Sequence, residues 1–188
     1  MNINKGFSHV GLSTMDMDAT RDFYENVLGF KAVRCDILKV KEGGQIRHIF
    51  FDTGRDQFLA FMAPENVPTI DEYDAGINNA LGVPGGFYHF AFEAGSLENL
   101  EAKREELLAK GVEVTVVVDH EWAKSIYFKD PNGISLEFCH FSRDPGTAYD
   151  TEMQVRAEIS IHQMRQNWDN MSQRGRVLGD REPVLAGR

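Results

Sequence analysis

Three side chains that could bind a metal ion lie in similar strand-like runs of the sequence. His9 lies in the run FSHVGL, His89 in FYHFAF and Glu137 in SLEFC. Because strand side chains alternate between two faces, each candidate falls on the less bulky face of its run, as the floor of a substrate cleft requires. Two imidazoles and one carboxylate leave positions open on a divalent ion. The sequence therefore predicts a catalytic metal site with His9, His89 and Glu137 as ligands.

The elements that position these residues are predicted twice in the chain, in the order strand, helix and three strands. In the first copy, Asp16 or Asp18 can cap the helix and Gly29 ends it. In the second copy, leucines at helical spacing predict a helix over 97–110, which ends at Gly111. The repeated unit is therefore β-α-β-β-β.

The remaining predicted elements follow from strand, turn and loop patterns. The later strands are expected at 32–40, 46–52 and 57–62 in the first copy and at 112–118, 125–129 and 134–141 in the second. Between the copies, 63–86 is predicted as a long loop with room for a short helix at 71–81. A helix over 151–172 is predicted to pack on the domain or on a second subunit, with capping of the pocket as an alternative.

Aligning the last strands of the two copies makes the predicted site asymmetric. The segment Leu59–Phe61 aligns with Leu136–Phe138, so Ala60 stands where the second copy has Glu137. The protein would then supply three metal ligands rather than four.

Composition excludes several classes of partner. The net charge of −9 argues against binding to nucleic acid or to an anionic membrane surface, since both favour a basic protein face. The sequence contains neither a membrane-spanning apolar run nor a signal-peptide core, and its two cysteines do not suggest a disulfide framework. The expected location is the cytoplasm.

On these residues the sequence resembles the vicinal oxygen chelate superfamily, which includes glyoxalase I, fosfomycin-resistance proteins and extradiol ring-cleavage dioxygenases. The resemblance implies an α+β fold with two βαβββ modules forming a curled mixed sheet around a metal cleft, to which the sequence pattern adds a C-terminal helix. It implies a superfamily domain over 1–145, with module one at about 6–63 and module two at about 86–141. A helical extension and flexible tail would follow over 146–188.

One segment is similar to the extradiol dioxygenase pattern. His120 is followed by Ile126-Tyr127, by the turn Asp130–Gly133 and by Glu137. The resemblance implies that His120 is an acid/base or a hydrogen-bond donor to substrate and that Tyr127 is a phenol near the bound oxygens. The chain departs from the pattern where such enzymes usually carry a further catalytic histidine.

The position of that missing histidine corresponds to Asp56 or Gln57. The departure brings the usual proton-transfer scheme into question. The other histidines, His48, His140 and His162, have no comparable sequence context.

The resemblance implies cleavage of a catechol-like aromatic diol with O2 at an Fe(II) site, with Mn(II), Zn(II) or Ni(II) as other metals that the ligands accept. One alternative is a redox-neutral isomerase, lyase or thiol transferase of the glyoxalase type. A second alternative is a resistance-type protein that binds an aromatic ligand. The expected partners are a small aromatic substrate, O2 and a second copy of the chain in a homodimer or higher homo-oligomer.

Overall fold

The computed structural model describes residues 6–146, residue 153 and residues 158–174. Its contacts divide the chain into two compact units. The first unit contains the residues up to Ala75 together with Asp130–Asn132, and the second contains Gly76–Lys129 and the residues from Gly133 onward.

The first unit is a βαβββ module with a mixed sheet. Its elements are β1 (His9–Ser13), α1 (Met17–Asp22), a π-helical turn (Phe23–Val27), β2 (Lys31–Lys39), β3 (Gln45–Gly54) and β4 (Gln57–Glu65). The strand order is β1-β4-β3-β2, with β1 parallel to β4 and antiparallel pairing between the other neighbours. The backbone amide of Ala19 donates to the Asp16 side chain at 2.9 Å, which confirms Asp16 as the helix cap.

The apolar core of the first unit surrounds Tyr24. The Tyr24 ring lies 4.9 Å from the Phe61 ring and 5.2 Å from the Phe51 ring, and all three side chains are fully buried. The Tyr24 hydroxyl donates to a carboxylate oxygen of buried Asp130 at 3.2 Å. Burial and the negative charge of Asp130 raise the pKa of Tyr24 well above its usual range, so the phenol stays protonated.

The second unit repeats the module and adds two helices. Its elements are α2 (Ile77–Leu81), β5 (His89–Glu93), α3 (Leu97–Ala109), β6 (Val118–Asp119), β7 (Ala123–Lys129), β8 (Ser135–Phe141) and α4 (Ile161–Arg174). The strand order is β5-β8-β7-β6, with β5 parallel to β8. Helix α3 packs on β7 and β8, with Leu100 and Leu107 fully buried.

The α+β class and the two predicted βαβββ modules are confirmed, and the strands form two open four-stranded mixed sheets. The strand predicted at 112–118 is wrong for most of its length, because only Val118 belongs to β6. Thr115 makes two hydrogen bonds to Tyr127 of β7, both at 3.0 Å. Its backbone amide donates to the Tyr127 carbonyl, but the Tyr127 amide donates to the Thr115 hydroxyl rather than to a backbone carbonyl. Within the described residues, the stretch between α3 and β6 forms one isolated β-bridge, between Val114 and Phe128.

Two helices begin later than predicted. Helix α2 starts at Ile77 rather than at residue 71, and Gly82 ends it in the left-handed conformation. Helix α4 starts at Ile161 because the Ser160 hydroxyl accepts the Gln163 amide at 3.1 Å, as an N-terminal cap does. The predicted helical residues 151, 152 and 154–157 and the predicted tail from 175 onward lie outside the described residues. None of the described helices is both long and apolar enough to cross a bilayer.

Candidate metal and substrate site

The candidate site of the second unit lies on one face of its sheet, where β8 runs between β5 and β7. Glu137 of β8 is in register with Ala91 on one side and with Tyr127 on the other. His89 is in register with Ser135, two residues before Glu137 on the same face. Strand register therefore brings His89, Glu137 and Tyr127 together.

The side chains of His89 and Glu137 are in direct contact. Nε2 of His89 lies 3.0 Å from Oε2 of Glu137, and Nδ1 of His89 lies 3.0 Å from the carbonyl oxygen of Gly86. With Nδ1–H donating to this carbonyl, Nε2 is the ring nitrogen available to a ligand. The Glu137 carboxylate is buried, whereas the His89 ring retains 35% of its side-chain exposure. Solvent and small molecules therefore reach the pair from the His89 side.

Each partner shifts the pKa of the other. The hydrogen bond to Glu137 is the main reason why the pKa of His89 is raised above its usual range. Burial alone would raise the pKa of Glu137, but the hydrogen bonds with His89 and Ser125, together with the charges of His89 and His120, outweigh burial and lower it. The two shifts therefore favour an imidazolium–carboxylate pair at this contact.

Asn78 holds the segment that leads into His89. Its buried amide nitrogen donates to the carbonyl oxygens of Gly85 at 2.9 Å and Tyr88 at 2.7 Å, and its side-chain oxygen accepts the Tyr88 amide at 2.9 Å. These contacts fix the backbone on both sides of Gly86, whose carbonyl orients the His89 ring. Asn78 is therefore a positioning residue for the site, and the sequence interpretation did not identify it.

His120 and Tyr127 form a second polar pair beside Glu137. Nε2 of His120 lies 2.9 Å from the Tyr127 hydroxyl, and the two rings meet edge to face. Burial, assisted by the negative charge of Glu137, raises the pKa of Tyr127 far above its usual range. The phenol is therefore a permanently protonated hydrogen-bonding group between Glu137 and His120.

Cys139, on the same face of β8, is a poor candidate for chemistry. Burial is the main cause that raises the pKa of its thiol to about 11. The protonated thiol is a weak nucleophile and a weak metal ligand.

His9 lies in β1 of the first unit, at the position that corresponds to His89. It is exposed, its Nδ1 lies 3.0 Å from the Ser8 hydroxyl, and its ring lies 5.4 Å from that of Phe50. Within the part of the chain that the structure describes, no group of three histidine, cysteine, aspartate or glutamate side chains has the arrangement of a metal site. The ligand set of His9, His89 and Glu137 therefore stays a prediction.

Another histidine faces the same side of the first sheet as His9. His48 of β3 is two residues before Phe50, its ring lies 4.6 Å from the Phe50 ring, and its Nδ1 lies 3.9 Å from a carboxylate oxygen of Asp36. The sequence interpretation gave His48 no role, because alternation places His48 on the face of Phe50 but only the strand register places that face with His9.

The positions predicted to replace the missing histidine have different surroundings. Asp56, like Arg55, has a positive φ in the turn between β3 and β4, at 58° and 54° respectively. Gln57 opens β4 on the face opposite to Phe58, the register partner of His9. Neither residue lies on the strand face that carries His9.

Helix α4 adds an aromatic wall to the site of the second unit. The indole ring of Trp168 meets the Tyr127 ring edge to face, with centroids 5.2 Å apart. The same indole covers Gly86 so closely that a Cβ at residue 86 would lie 2.3 Å from it. The predicted helix thus packs on the second unit, next to the residues that orient His89.

The donor atoms of the second unit fit a divalent metal ion. Two ligands at right angles, each about 2.1 Å from the ion, have donor atoms about 3 Å apart. The separation of Nε2 of His89 and Oε2 of Glu137 is 3.0 Å. The backbone carbonyl at Nδ1 is the usual outer partner of a metal-bound histidine. A nitrogen and oxygen donor set accepts Fe(II), Mn(II), Zn(II) or Ni(II).

Comparison with known proteins agrees with this architecture. Residues 6–138 match the Glyoxalase/Bleomycin resistance protein/Dioxygenase superfamily, and the chain belongs to that superfamily. The chain is 31% identical over 146 residues to biphenyl-2,3-diol 1,2-dioxygenase 2 of Rhodococcus globerulus, covering 76% of this chain and 68% of that relative. It is 26% identical over 161 residues to glyoxylase I 4 of Arabidopsis thaliana, covering 85% and 84%.

A solved structure shares the fold. An integron cassette protein from the mobile metagenome of the Halifax Harbour sewage outfall matches with a TM-score of 0.50 and 26% identity. The match covers 73% of this chain and 100% of that protein.

Proposed function

We propose that the chain is a metal-dependent dioxygenase of the extradiol type that cleaves a catechol-like aromatic diol with O2. The observation that carries the proposal is the continuous set of contacts from His89 through Glu137 and Tyr127 to His120 on one sheet face. Such a set combines two candidate metal ligands with two hydrogen-bonding groups beside them. The similarity to an enzyme named for the diol that it oxidises supports the same reaction class.

His89 and Glu137, with His9 as the third predicted ligand, would hold Fe(II) or Mn(II). When bound, a 2-His-1-carboxylate metal provides positions for a diol and for O2 and supplies the redox chemistry of ring opening. In the overall reaction the carbon–carbon bond beside the two hydroxylated carbons breaks, and both oxygen atoms of O2 enter the product. The protein must therefore orient the diol and manage its hydroxyl protons.

The pair of Tyr127 and His120 is suited to that task. Because the Tyr127 phenol stays protonated, its hydroxyl can donate to a substrate oxygen without competing as an anionic ligand. Nε2 of His120, 2.9 Å from that hydroxyl, can accept a proton that the diol releases and return it later. The Trp168 indole covers part of the Tyr127 ring with an apolar surface.

The direct test is anaerobic reconstitution of the metal-free chain with Fe(II), followed by addition of biphenyl-2,3-diol and substituted catechols in the presence of O2. The expected result is consumption of one O2 per diol together with a coloured ring-opened product. A protein that binds Fe(II) but takes up no O2 with any diol would contradict the proposal. Binding of aromatic molecules with neither metal uptake nor turnover would instead favour the ligand-binding class.

The second candidate is redox-neutral metal chemistry of the glyoxalase type. The similarity to the plant glyoxylase I relative, which covers more of both chains, favours it. Ala60 argues against it, because glyoxalase I enzymes usually carry a carboxylate ligand at this position and the chain has none there. Reconstitution with Zn(II) or Ni(II) and the hemithioacetal of methylglyoxal and glutathione separates the two candidates, because isomerisation needs no O2.

A further inference from the structure

A cavity of about 200 Å³ lies in the second unit beside the His89–Glu137 pair. The loop that follows α2, the facing ends of β7 and β8, and helix α4 form its walls. Ser135, the register partner of His89, lines the cavity, so the cavity and the proposed metal site share one row of the sheet. A molecule bound at His89 could therefore extend into this space.

The lining of the cavity is cationic. Lys129 and Arg165 line it, and it has no aspartate or glutamate among its lining residues. In a chain with 29 acidic and 20 basic residues, a pocket that collects two cations and no carboxylate is a local reversal of charge. Neither cation has an ion-pair partner among the described side chains, although Arg165 donates a hydrogen bond to the Gly82 carbonyl. Both cations therefore retain donors for an anion.

One wall of the cavity is aromatic. The Trp168 indole lines it and also contacts Tyr127, so one ring faces both the cavity and the proposed catalytic pair. An aromatic ring or methylene group that enters from the His89 side would pack on this indole.

The sheet register sets the distance that a ligand must span between His89 and Lys129. Lys129 pairs with Ser135, which in turn pairs with His89, so two strand spacings separate the Lys129 and His89 backbones. Two spacings amount to about 10 Å. A ring held at His89 needs only a short acidic side chain to bring a carboxylate to the Lys129 ammonium.

We propose that this cavity is the subsite for a carboxylate side chain on an aromatic substrate, with Lys129 and Arg165 binding the carboxylate and Trp168 packing on the carbon framework. The inference deepens the proposed dioxygenase function and rests on it for the identity of the reacting ring. Binding of an arylalkyl carboxylate in this cavity does not require turnover.

The test uses phenylacetate, which has the ring and the carboxylate but no diol, and phenylacetamide, its uncharged counterpart. In a full-length Trp122→Phe variant, Trp168 is the one tryptophan left, and its fluorescence reports occupancy of the cavity. Calorimetry on the unaltered chain measures the same affinities independently. Phenylacetate is expected to bind about tenfold more tightly than the amide, with the difference shrinking as salt is added.

Matched variants locate the effect. Lys129→Met and Arg165→Met are each expected to weaken phenylacetate binding several-fold and to leave phenylacetamide unchanged. Lys110→Met, at the C-terminal cap of helix α3 where the lysine pairs with Glu106, is the control and should change neither. Equal affinities for acid and amide, or equal effects of the three substitutions, would overturn the subsite.

The two proposals fail in different ways. If phenylacetate is preferred and depends on Lys129 but no diol consumes O2, the dioxygenase proposal fails while the carboxylate subsite is upheld. The opposite result is that catechols are cleaved, that 3,4-dihydroxyphenylacetate is cleaved no faster than 4-ethylcatechol, and that phenylacetate binds no better than its amide. In that case the carboxylate subsite is overturned and the dioxygenase proposal is upheld.

Discussion

Ala60 and Glu137 occupy the same register position in the two sheets. Ala60 of β4 pairs with Gly11 of β1, and Glu137 of β8 pairs with Ala91 of β5, and each of these partners lies two residues after the histidine of its strand. At this register position, only the second sheet therefore has a carboxylate beside the histidine of its first strand. The two modules therefore share the backbone register but differ in the side chain at this position.

In the proposed site, Glu137 is therefore the carboxylate on which metal binding is expected to depend. Glu137→Gln keeps the shape of the side chain but removes its charge, so Fe(II) affinity is expected to fall by tenfold or more. Glu93→Gln is the control, because Glu93 lies on the same strand face as His89 but accepts the Gly95 amide at 2.8 Å. Titration with Fe(II) under anaerobic conditions measures both. Equal metal affinity in the two variants would remove Glu137 from the ligand set.

The His89–Glu137 pair should make the stability of the metal-free protein depend on pH. The raised pKa of His89 gives a contribution that is complete below its usual 6.5 and is lost as pH rises through the folded-state pKa. The lowered pKa of Glu137 gives a contribution that is complete above its usual 4.5 and is lost as pH falls through the folded-state pKa. The pair therefore stabilises the fold most between these two values.

Chemical denaturation of the metal-free protein and of Glu137→Gln tests this window. The free energy of unfolding should differ between them by on the order of 1 kcal/mol near pH ~5.5 and by less near pH ~9. A difference that stays constant across this range would mean that the pair is not ionised as proposed.

The pair of Tyr127 and His120 is expected to affect turnover without affecting metal binding. His120→Phe and Tyr127→Phe each remove one end of the 2.9 Å contact, so each should retain Fe(II) and lower kcat by about 100-fold. His140→Phe is the control, since His140 lies on the opposite face of β8. Single-turnover kinetics at saturating diol make the comparison. A rate for His120→Phe equal to that of the control would exclude His120 from the mechanism.

Local signals were sufficient for most elements of the fold. Asp16, one of the two predicted caps, caps α1, and Gly29 and Gly111 follow their helices with φ of 80° and 78°. These signals act within one turn of a helix, so the sequence carries them directly. Strand alternation likewise brought His89 and Glu137 to one face, because the pattern repeats every two residues.

Contacts between distant segments were not available from those signals. The strand over 112–118 was wrong because the Thr115 hydroxyl takes the Tyr127 amide, a competition that depends on tertiary packing. The roles of Asn78 and Trp168 were missed for the same reason. Asn78 binds the loop before His89 and Trp168 packs on Tyr127, and no local sequence pattern indicates either contact. The position of His48 on the His9 face was missed as well. Strand alternation places His48 on the same face as Phe50, but only the pairing of β1, β4 and β3 shows that this is the face of His9.

Asn78 should contribute to both stability and metal binding. Asn78→Ala leaves the carbonyls of Gly85 and Tyr88 and the Tyr88 amide without their side-chain partners, which is expected to cost about 2–4 kcal/mol. The neighbouring Asn79→Ala changes an exposed side chain and serves as the control. Thermal unfolding in the metal-free state measures the stability, and Fe(II) titration measures the site. Equal unfolding temperatures in the two variants would contradict the positioning role.

Adjacent glycines provide the sharpest test of the Trp168 contact. A methyl group on Gly86 would lie 2.3–2.5 Å from the Trp168 indole, whereas one on Gly85 would lie 3.5 Å away, at ordinary contact distance. Neither glycine has a positive φ, so alanine is compatible with the backbone at both positions. Gly86→Ala should therefore displace the indole, while Gly85→Ala should leave it in place.

The displacement can be measured by fluorescence in the Trp122→Phe background. Gly86→Ala is expected to shift the Trp168 emission toward that of an exposed indole and to weaken phenylacetate binding, and Gly85→Ala is expected to do neither. Repeating Gly86→Ala in a Trp168→Ala background separates displacement of the indole from any effect of the substitution on the loop. In that background the added methyl group meets no indole ring, so Gly86→Ala should change the free energy of unfolding by less than about 0.5 kcal/mol. If Gly86→Ala destabilises the chain equally with and without the indole, α4 does not pack on Gly86. This result would also contradict the assignment of Trp168 as the aromatic wall of the cavity.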